Sequence, residues 1–92
     1  MSLRITHIRL QPGYSDHEHI VMYRWVNRET GAQGDSDKPA MVAWIDDGGV
    51  AYVEQGGSRV RVGVVRPSGR QPYLRTYANE TWTDNLLSLP RF

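Results

Sequence analysis

Glycine and proline divide this chain into short apolar segments, and this limits it to short secondary-structure elements. Nine glycines and five prolines are spread over 92 residues, and the longest strictly apolar run, residues 40–45, has six residues. A membrane-spanning helix needs about 20 such residues. The N-terminal residues also lack the basic and then apolar pattern of a signal peptide. We therefore expect a small domain of short strands and turns, without a membrane span and located in the cytoplasm.

Most segments between these breaks have the composition of β-strands. β-Branched and aromatic residues dominate them, and turn residues separate them. The predicted strands are 4–10, 19–27, 50–54, 59–66, 73–77 and 81–83, with turns at 12–13, 56–57, 67–69 and 79. The stretch 29–36 (ETGAQGDS) contains two glycines and no large apolar residue, so it is predicted to be a loop.

One helix is predicted from Asp37 to Asp46. Ser36 or Asp37 can cap its first backbone N–H groups, and Pro39 suits a first helical turn. The apolar end of the chain, residues 85–90, is too short for a long helix and is expected to pack as a turn against the sheet. The predicted fold is a single α+β domain over residues 1–92: a small curled antiparallel β-sheet with one short helix, in the order ββαββββ.

Composition and missing motifs exclude several classes of chemistry. The chain has no cysteine, which removes disulfides, thiolate nucleophiles, cysteine zinc sites and iron–sulfur clusters. The formal charge of +1 argues against a strongly basic or acidic tail. Neither a P-loop, a GxSxG elbow nor an HExxH pattern occurs. We therefore expect a protein that is not an enzyme and that needs no cofactor.

The hairpin predicted over residues 59–77 is the best candidate for a binding surface. Residues 55–79 hold five arginines and no acidic residue. The strand register that matches apolar with apolar side chains places arginines and tyrosines together on the outward face. Such a face can grip phosphates and stack bases, although long side chains that merely cover tyrosine rings in solvent are the simpler interpretation. The candidate nucleic-acid or anion-binding residues are Arg59, Arg61, Arg75, Tyr73 and Tyr77.

Histidines give a second, competing hypothesis. In the segment 16–19 (DHEH), His17 and His19 would share one face of a strand, and His7 on the neighbouring strand is the natural third ligand of a zinc or nickel site. A solvated hairpin end is the simpler interpretation, because nothing fixes a fourth ligand, and no metal site is predicted. Tryptophans at three positions are interpreted as core anchors: Trp25, Trp44 and Trp82.

Several segments together resemble a bacterial family catalogued as domain of unknown function 3892. They include RITHIRL, MVAWI, RVRVGVV and the ending PYLRTYAN…DNLLSLP, which is the most specific part. The resemblance runs from about residue 4 to residue 90. It implies a small stand-alone or appended domain, and it implies no activity and no site residues.

The leading functional hypothesis is a non-catalytic binding or interaction module that recognises an unknown protein or an anionic ligand, not a membrane. The first alternative is a nucleic-acid-binding domain that uses the arginine–tyrosine face, and the second is a metal-dependent enzyme around His7, His17 and His19. An even charge distribution would favour the leading hypothesis. A single positive sheet face would favour the nucleic-acid-binding domain, and imidazoles that converge in a pocket would favour the metal-dependent enzyme. A homodimer is also expected, because end strands of a small sheet leave edges to be covered.

Overall fold

Seven strands form one open mixed sheet, and an α-helix packs against its inner side. The computed structural model describes residues 2–55, 57–78 and 81–92. The elements are β1 (Ser2–Leu10), the 3₁₀ turn η1 (His17–His19), β2 (Ile20–Asn27), β3 (Gln33–Asp37), α1 (Lys38–Asp46), β4 (Val50–Gln55), β5 (Ser58–Val65), β6 (Tyr73–Ala78), β7 (Thr81–Thr83) and the 3₁₀ turn η2 (Asn85–Ser88). Across the sheet the strand order is β3-β2-β1-β4-β5-β6-β7. The predicted sheet-rich α+β architecture is confirmed, but the order ββαββββ is wrong.

The strand that the sequence did not predict is β3, which lies within the predicted loop 29–36 and reaches Asp37. Its residues are polar because it is an edge strand that pairs only with β2 among the described elements. In that pairing Gly34 lies opposite Trp25. A Cβ atom at Gly34 would come within 2.5 Å of the Trp25 ring, so the glycine makes room for the indole. Because β3 has no apolar residues, the sequence pattern did not predict this strand, which lies beside the Trp25 ring.

The additional strand also corrects the prediction of an antiparallel sheet. Strands β1, β2 and β3 pair antiparallel in sequence, so β3 runs in the direction of β1. The helix then carries the chain back, and β4 lies beside β1 in the parallel sense, with Leu3 next to Ala51. If only β1 and β2 preceded the helix, the chain would return parallel to β2, and β4 would then run antiparallel to β1. The last four strands, β4 to β7, pair antiparallel as predicted.

The sheet bends around the core at β1. Register shifts interrupt the β1–β2 pairing at Ile5–His7 and at Arg9–Leu10, and such bulges increase the local twist. Within β1, only residues 2–4 pair with β4. Beyond that point the C-terminal residues take its place, since Ile8 N–H donates to Pro90 O (3.0 Å) and Phe92 N–H donates to Ile8 O (3.2 Å).

The core lies between the inner side of the sheet, α1 and the two 3₁₀ turns. The helix begins after Asp37, whose Oδ1 accepts a hydrogen bond from Ala40 N (2.9 Å) and which therefore is the capping residue. Turn η2 confirms the predicted packing of the chain end, because Leu86 is fully buried. The buried apolar cluster consists of Ile5, Ile8, Ile20, Tyr23, Met41, Val42, Ala51, Val53, Val62, Leu74 and Leu86.

Three expectations bear on the limits of the sheet and the chain. Strands β3 and β7 are the two edges of the described sheet. A homodimer that covers one of these edges stays a prediction. The predicted turn at Asn79 and the first residue of the predicted 56–57 turn lie outside the described residues. Within the described ranges, no helix is both long enough and apolar enough to cross a membrane.

Candidate functional site

The register of β5 and β6 places the sequence-predicted site residues on the outer face of the sheet. Arg61 lies directly opposite Tyr77, Gly63 opposite Arg75, and Val65 opposite Tyr73. Their inward neighbours pair as apolar and small residues, with Val62 opposite Thr76 and Val64 opposite Leu74, and three of these four are buried. Because side chains alternate along a strand, Arg59 shares the face of Arg61. The structure therefore brings Arg59, Arg61, Arg75, Tyr73 and Tyr77 to one surface.

The neighbouring strands extend this surface into a straight row of side chains. Tyr52 of β4 lies opposite Arg61, Arg61 lies opposite Tyr77, and Tyr77 lies opposite Trp82 of β7. The four residues thus lie side by side on four adjacent strands and span about 15 Å at the usual strand spacing. We call Tyr52, Arg61, Tyr77 and Trp82 the aromatic–arginine row.

Two rings at one end of the row are open to solvent. Tyr77 is 40% exposed and Trp82 is 39% exposed, and their rings meet edge to face with centroids 5.0 Å apart. Trp82 leans over Gly63, where a Cβ atom would come within 3.2 Å of the indole. The glycine thus lets the indole lie close to the sheet beside Arg61. Large exposed aromatic side chains in contact with each other are a typical feature of a binding surface.

The other end of the row is covered by cations. Tyr52 is 4% exposed, and the Arg59 guanidinium lies 4.8 Å from the centre of its ring. A single carboxylate, Glu54, accepts from Arg28 at 2.6 Å and lies 3.6 Å from Arg59 and 3.9 Å from Arg4. Three guanidinium groups around one carboxylate leave this region positive.

Arg61 is the arginine best placed to meet a ligand. Within the described part of the chain it has no carboxylate partner, whereas the other arginines of the β5–β6 hairpin, Arg59, Arg66, Arg70 and Arg75, each lie within 4 Å of one. Beside it is a hollow of about 380 Å³, also lined by Tyr52, Arg59, Ser2 and Val50. An unpaired guanidinium between two aromatic rings can bind a phosphate or stack on a base without first breaking an ion pair.

Arg75, in contrast, is committed to the fold. Its Nε donates to Thr83 O at 3.0 Å, and its terminal nitrogen donates to Asp84 Oδ1 at 2.8 Å. These bonds tie β6 to the end of β7 and therefore position the Trp82 ring. Tyr73 is half-buried at the far end of β6, away from the row. Of the five predicted residues, Arg61 and Tyr77 belong to the row, Arg59 covers its Tyr52 end, and Arg75 supports it.

The outer face as a whole carries an excess of positive charge. Pairing across β1 and β2 continues the same face to Arg4, Arg9 and Arg24, so that with the three hairpin residues it holds six arginines. The described carboxylates on or beside the strands of this face are Asp35, Asp37, Glu54 and Asp84. The other acidic residues that the structure describes lie in loops, in η1 and in α1: Asp16, Glu18, Glu29, Asp46 and Asp47.

The three histidines do not come together. His7 lies on β1 against the edge of the Phe92 ring, with ring centroids 6.3 Å apart. His17 is buried beside Asp84, whereas His19 bonds Asp16 and stacks on Tyr14 at 3.8 Å. Residues 17–19 form η1 instead of the predicted strand, so the expectation that His17 and His19 share a strand face is wrong. Among the described residues, no three histidine or carboxylate side chains are grouped so that they could hold a metal ion.

His17 makes stability depend on pH. Burial lowers the pKa of His17 and the nearby Arg75 lowers it further, while Asp84 and Asp16 act in the opposite direction. The unfolded chain therefore binds more protons than the folded protein once the pH falls below about 6.5, the ordinary histidine pKa.

We predict that the free energy of unfolding decreases from pH 6.5 downward until the lowered pKa of His17 is passed. Urea titrations between pH 7 and 5 measure this, and His17→Gln should flatten the profile; an identical slope in both proteins would contradict it.

Two residues of the row were missed by sequence reasoning. Tyr52 occurs in an ordinary strand pattern, VAYVE, and only its register with β5 places it beside Arg61. Trp82 was interpreted as a core anchor, but it is exposed, whereas Trp25 and Trp44 do pack against the core. Trp82 is exposed because it lies opposite Tyr77 on the outer face. The sequence pattern of a strand of only three residues does not predict this pairing.

Comparison with known proteins gives a family and nothing further. Residues 4–90 match the family described as protein of unknown function, DUF3892. No curated protein and no solved structure matches the chain. The match covers nearly the whole chain and includes every residue of the aromatic–arginine row.

Proposed function

Because the chain belongs to the DUF3892 family of proteins of unknown function, we propose its role from the geometry: it is a non-catalytic binding module that holds single-stranded nucleic acid on the outer face of its sheet. The observation that carries this proposal is the aromatic–arginine row. Its side chains supply, on adjacent strands, the two groups that an unpaired nucleotide requires, an aromatic surface for the base and a cation for the phosphate.

Charge supports nucleic acid over a protein partner of mixed charge. The outer face holds six arginines against four carboxylates, and the five other acidic residues that the structure describes lie in loops, in η1 and in α1. This uneven distribution is the feature that distinguishes the two hypotheses, since a general interaction module needs no single positive face. Phosphate contacts from such a face supply most of the affinity of sequence-independent nucleic-acid binding.

Exposed rings favour a single strand over a duplex. Tyr77 and Trp82 are both about two-fifths exposed and lie at the sheet surface. In a duplex the faces of the bases are already stacked on one another, and flat rings on a sheet cannot reach them. Four-stranded sheets that present aromatic side chains bind unpaired bases by stacking.

Affinity for a single-stranded oligonucleotide should fall steeply as salt is added. If Arg4, Arg59 and Arg61 neutralise about three phosphates, the logarithm of the binding constant should decrease with the logarithm of salt concentration with a slope of about −2. Fluorescence anisotropy of a labelled oligonucleotide, measured at several salt concentrations, gives this slope. The same sequence as a duplex is the control and should bind more weakly. Absence of binding at about 100 μM protein in low salt would overturn the proposal.

A further inference from the structure

A second site lies on the other side of the sheet, and we infer that it binds a small neutral aromatic molecule that carries a carbonyl group. The site is a cavity of about 390 Å³ between α1 and the β2–β3 pair. Its volume is within the usual range of small-molecule pockets, about 300–1,000 Å³. It faces the helix and is separated by the sheet from the aromatic–arginine row, so its ligand is independent of the proposed nucleic acid.

The walls of this cavity are aromatic and fixed in place. Trp25 and Trp44 line it from opposite elements, β2 and α1. Trp25 lies against Gly34 and donates from Nε1 to Ser36 Oγ at 3.0 Å. Trp44 lies against Gly49 so closely that a Cβ atom there would overlap its ring. Two indoles held in this way give the cavity preformed aromatic walls, which suit an aromatic ligand.

Polar groups in the cavity are hydrogen-bond donors. Asn27 is 7% exposed, and its Oδ1 already accepts from Glu29 N at 3.0 Å. Asn27 lines the cavity, and its amide nitrogen has no acceptor among the described residues. Ser36 uses its oxygen to accept from Trp25, which leaves its hydroxyl hydrogen to donate. A ligand that fits these two donors must supply an acceptor oxygen.

The charge of the ligand follows from the lining. Besides the residues already named, the cavity is bordered by Leu3, Ala32, Ala40 and Met41, and no charged side chain of the described chain lines it. A carboxylate bound here would lose its hydration without gaining a cation, which is unfavourable. The acceptor is therefore a carbonyl oxygen of a neutral molecule.

Three small probes test the inference: acetophenone, ethylbenzene and benzoate. Nuclear magnetic resonance of ¹⁵N-labelled protein resolves the three indole N–H groups, and Trp82 on the outer face is an internal control. We expect acetophenone to shift the Trp25 and Trp44 signals at millimolar concentration and to leave Trp82 unchanged. Ethylbenzene, which lacks the acceptor, should bind about fivefold more weakly, and benzoate should not bind. Equal shifts at all three indoles, no shift, or equal binding of the three probes would overturn the inference.

A matched pair of helix variants locates the binding. Ala40→Leu enlarges a side chain that lines the cavity, whereas Ala43→Leu makes the same change on the same helix outside the cavity lining. Acetophenone binding should weaken at least about tenfold in Ala40→Leu and stay unchanged in Ala43→Leu. The probe titration of the unaltered protein decides the matter even where a variant folds poorly. Equal binding by two folded variants would contradict the assignment.

Discussion

Leu86→Ala should lower the free energy of unfolding by about 3–5 kcal/mol, the usual cost of emptying a leucine site in a core. Leu86 is fully buried in the apolar cluster, although it lies in a four-residue 3₁₀ turn near the end of the chain. The turn is held there because Asn85 N–H donates to Thr76 Oγ1 at 3.1 Å, and Thr76 is itself fully buried. The surrounding strands therefore cannot close over the missing side chain, and a cavity remains. A protein with a total stability of about 5–15 kcal/mol is close to unfolding after such a loss.

Leu87→Ala is the matched control. It makes the same substitution one residue later, where the side chain is only partly buried against the core. We expect a cost of about 1 kcal/mol, in proportion to the smaller apolar area removed from water. Urea unfolding of the two variants and of the unaltered protein measures both values. Similar costs in both variants would show that η2 does not close the core as described.

Removal of the exposed rings should have the largest effect on binding. In the double variant Tyr77→Ala/Trp82→Ala, the affinity for a single-stranded oligonucleotide should fall by at least tenfold, because base stacking on one ring contributes about 1–3 kcal/mol. The positive charge of the face is unchanged, so the slope of affinity against salt should stay the same. This combination, weaker binding with an unchanged slope, separates stacking from phosphate contact.

Tyr14→Ala is the control for this loss. Tyr14 is another exposed ring, 47% exposed, but it stacks on His19 near η1 and not on the outer face. Removal of the Tyr14 ring should leave the affinity for the oligonucleotide unchanged. The double variant Tyr77→Phe/Trp82→Phe, which keeps a ring at both positions, should bind nearly as tightly as the unaltered protein. Anisotropy titrations of these proteins, with thermal melts to verify folding, make the comparison. An equal loss in Tyr14→Ala would mean that the rings of the outer face have no special role.

Local chemistry in the sequence was sufficient to predict the helix and the β5–β6 hairpin. Asp37 and Pro39 mark the helix start because a cap and a first-turn proline act within a few residues. In the hairpin, the match of Val62 and Val64 with inward residues of β6 selects the register that turns Arg61 and Tyr77 outward. Both features are decided by neighbours in sequence or by one pair of strands.

Features that depend on several strands could not be predicted. Strand β3 contains no apolar residue, and it forms because β2 offers an edge and the Trp25 ring needs Gly34 beside it. Once β3 is missed, the direction of β4 against β1 is also predicted wrongly. The aromatic–arginine row requires three registers at once, and the short β7 gives no pattern that places Trp82 beside Tyr77.

The most direct test of binding at the outer face compares two arginines of the same hairpin. Arg61→Gln and Arg70→Gln each remove one positive charge, but Arg61 belongs to the aromatic–arginine row, whereas Arg70 lies at the hairpin turn and pairs with Glu18 at 2.9 Å. Anisotropy titration of a labelled single-stranded oligonucleotide at several salt concentrations should show weaker binding in Arg61→Gln, with a slope reduced by about 0.7, and no change in Arg70→Gln. Equal losses in the two variants, or full binding by a folded Arg61→Gln protein, would contradict binding at this face.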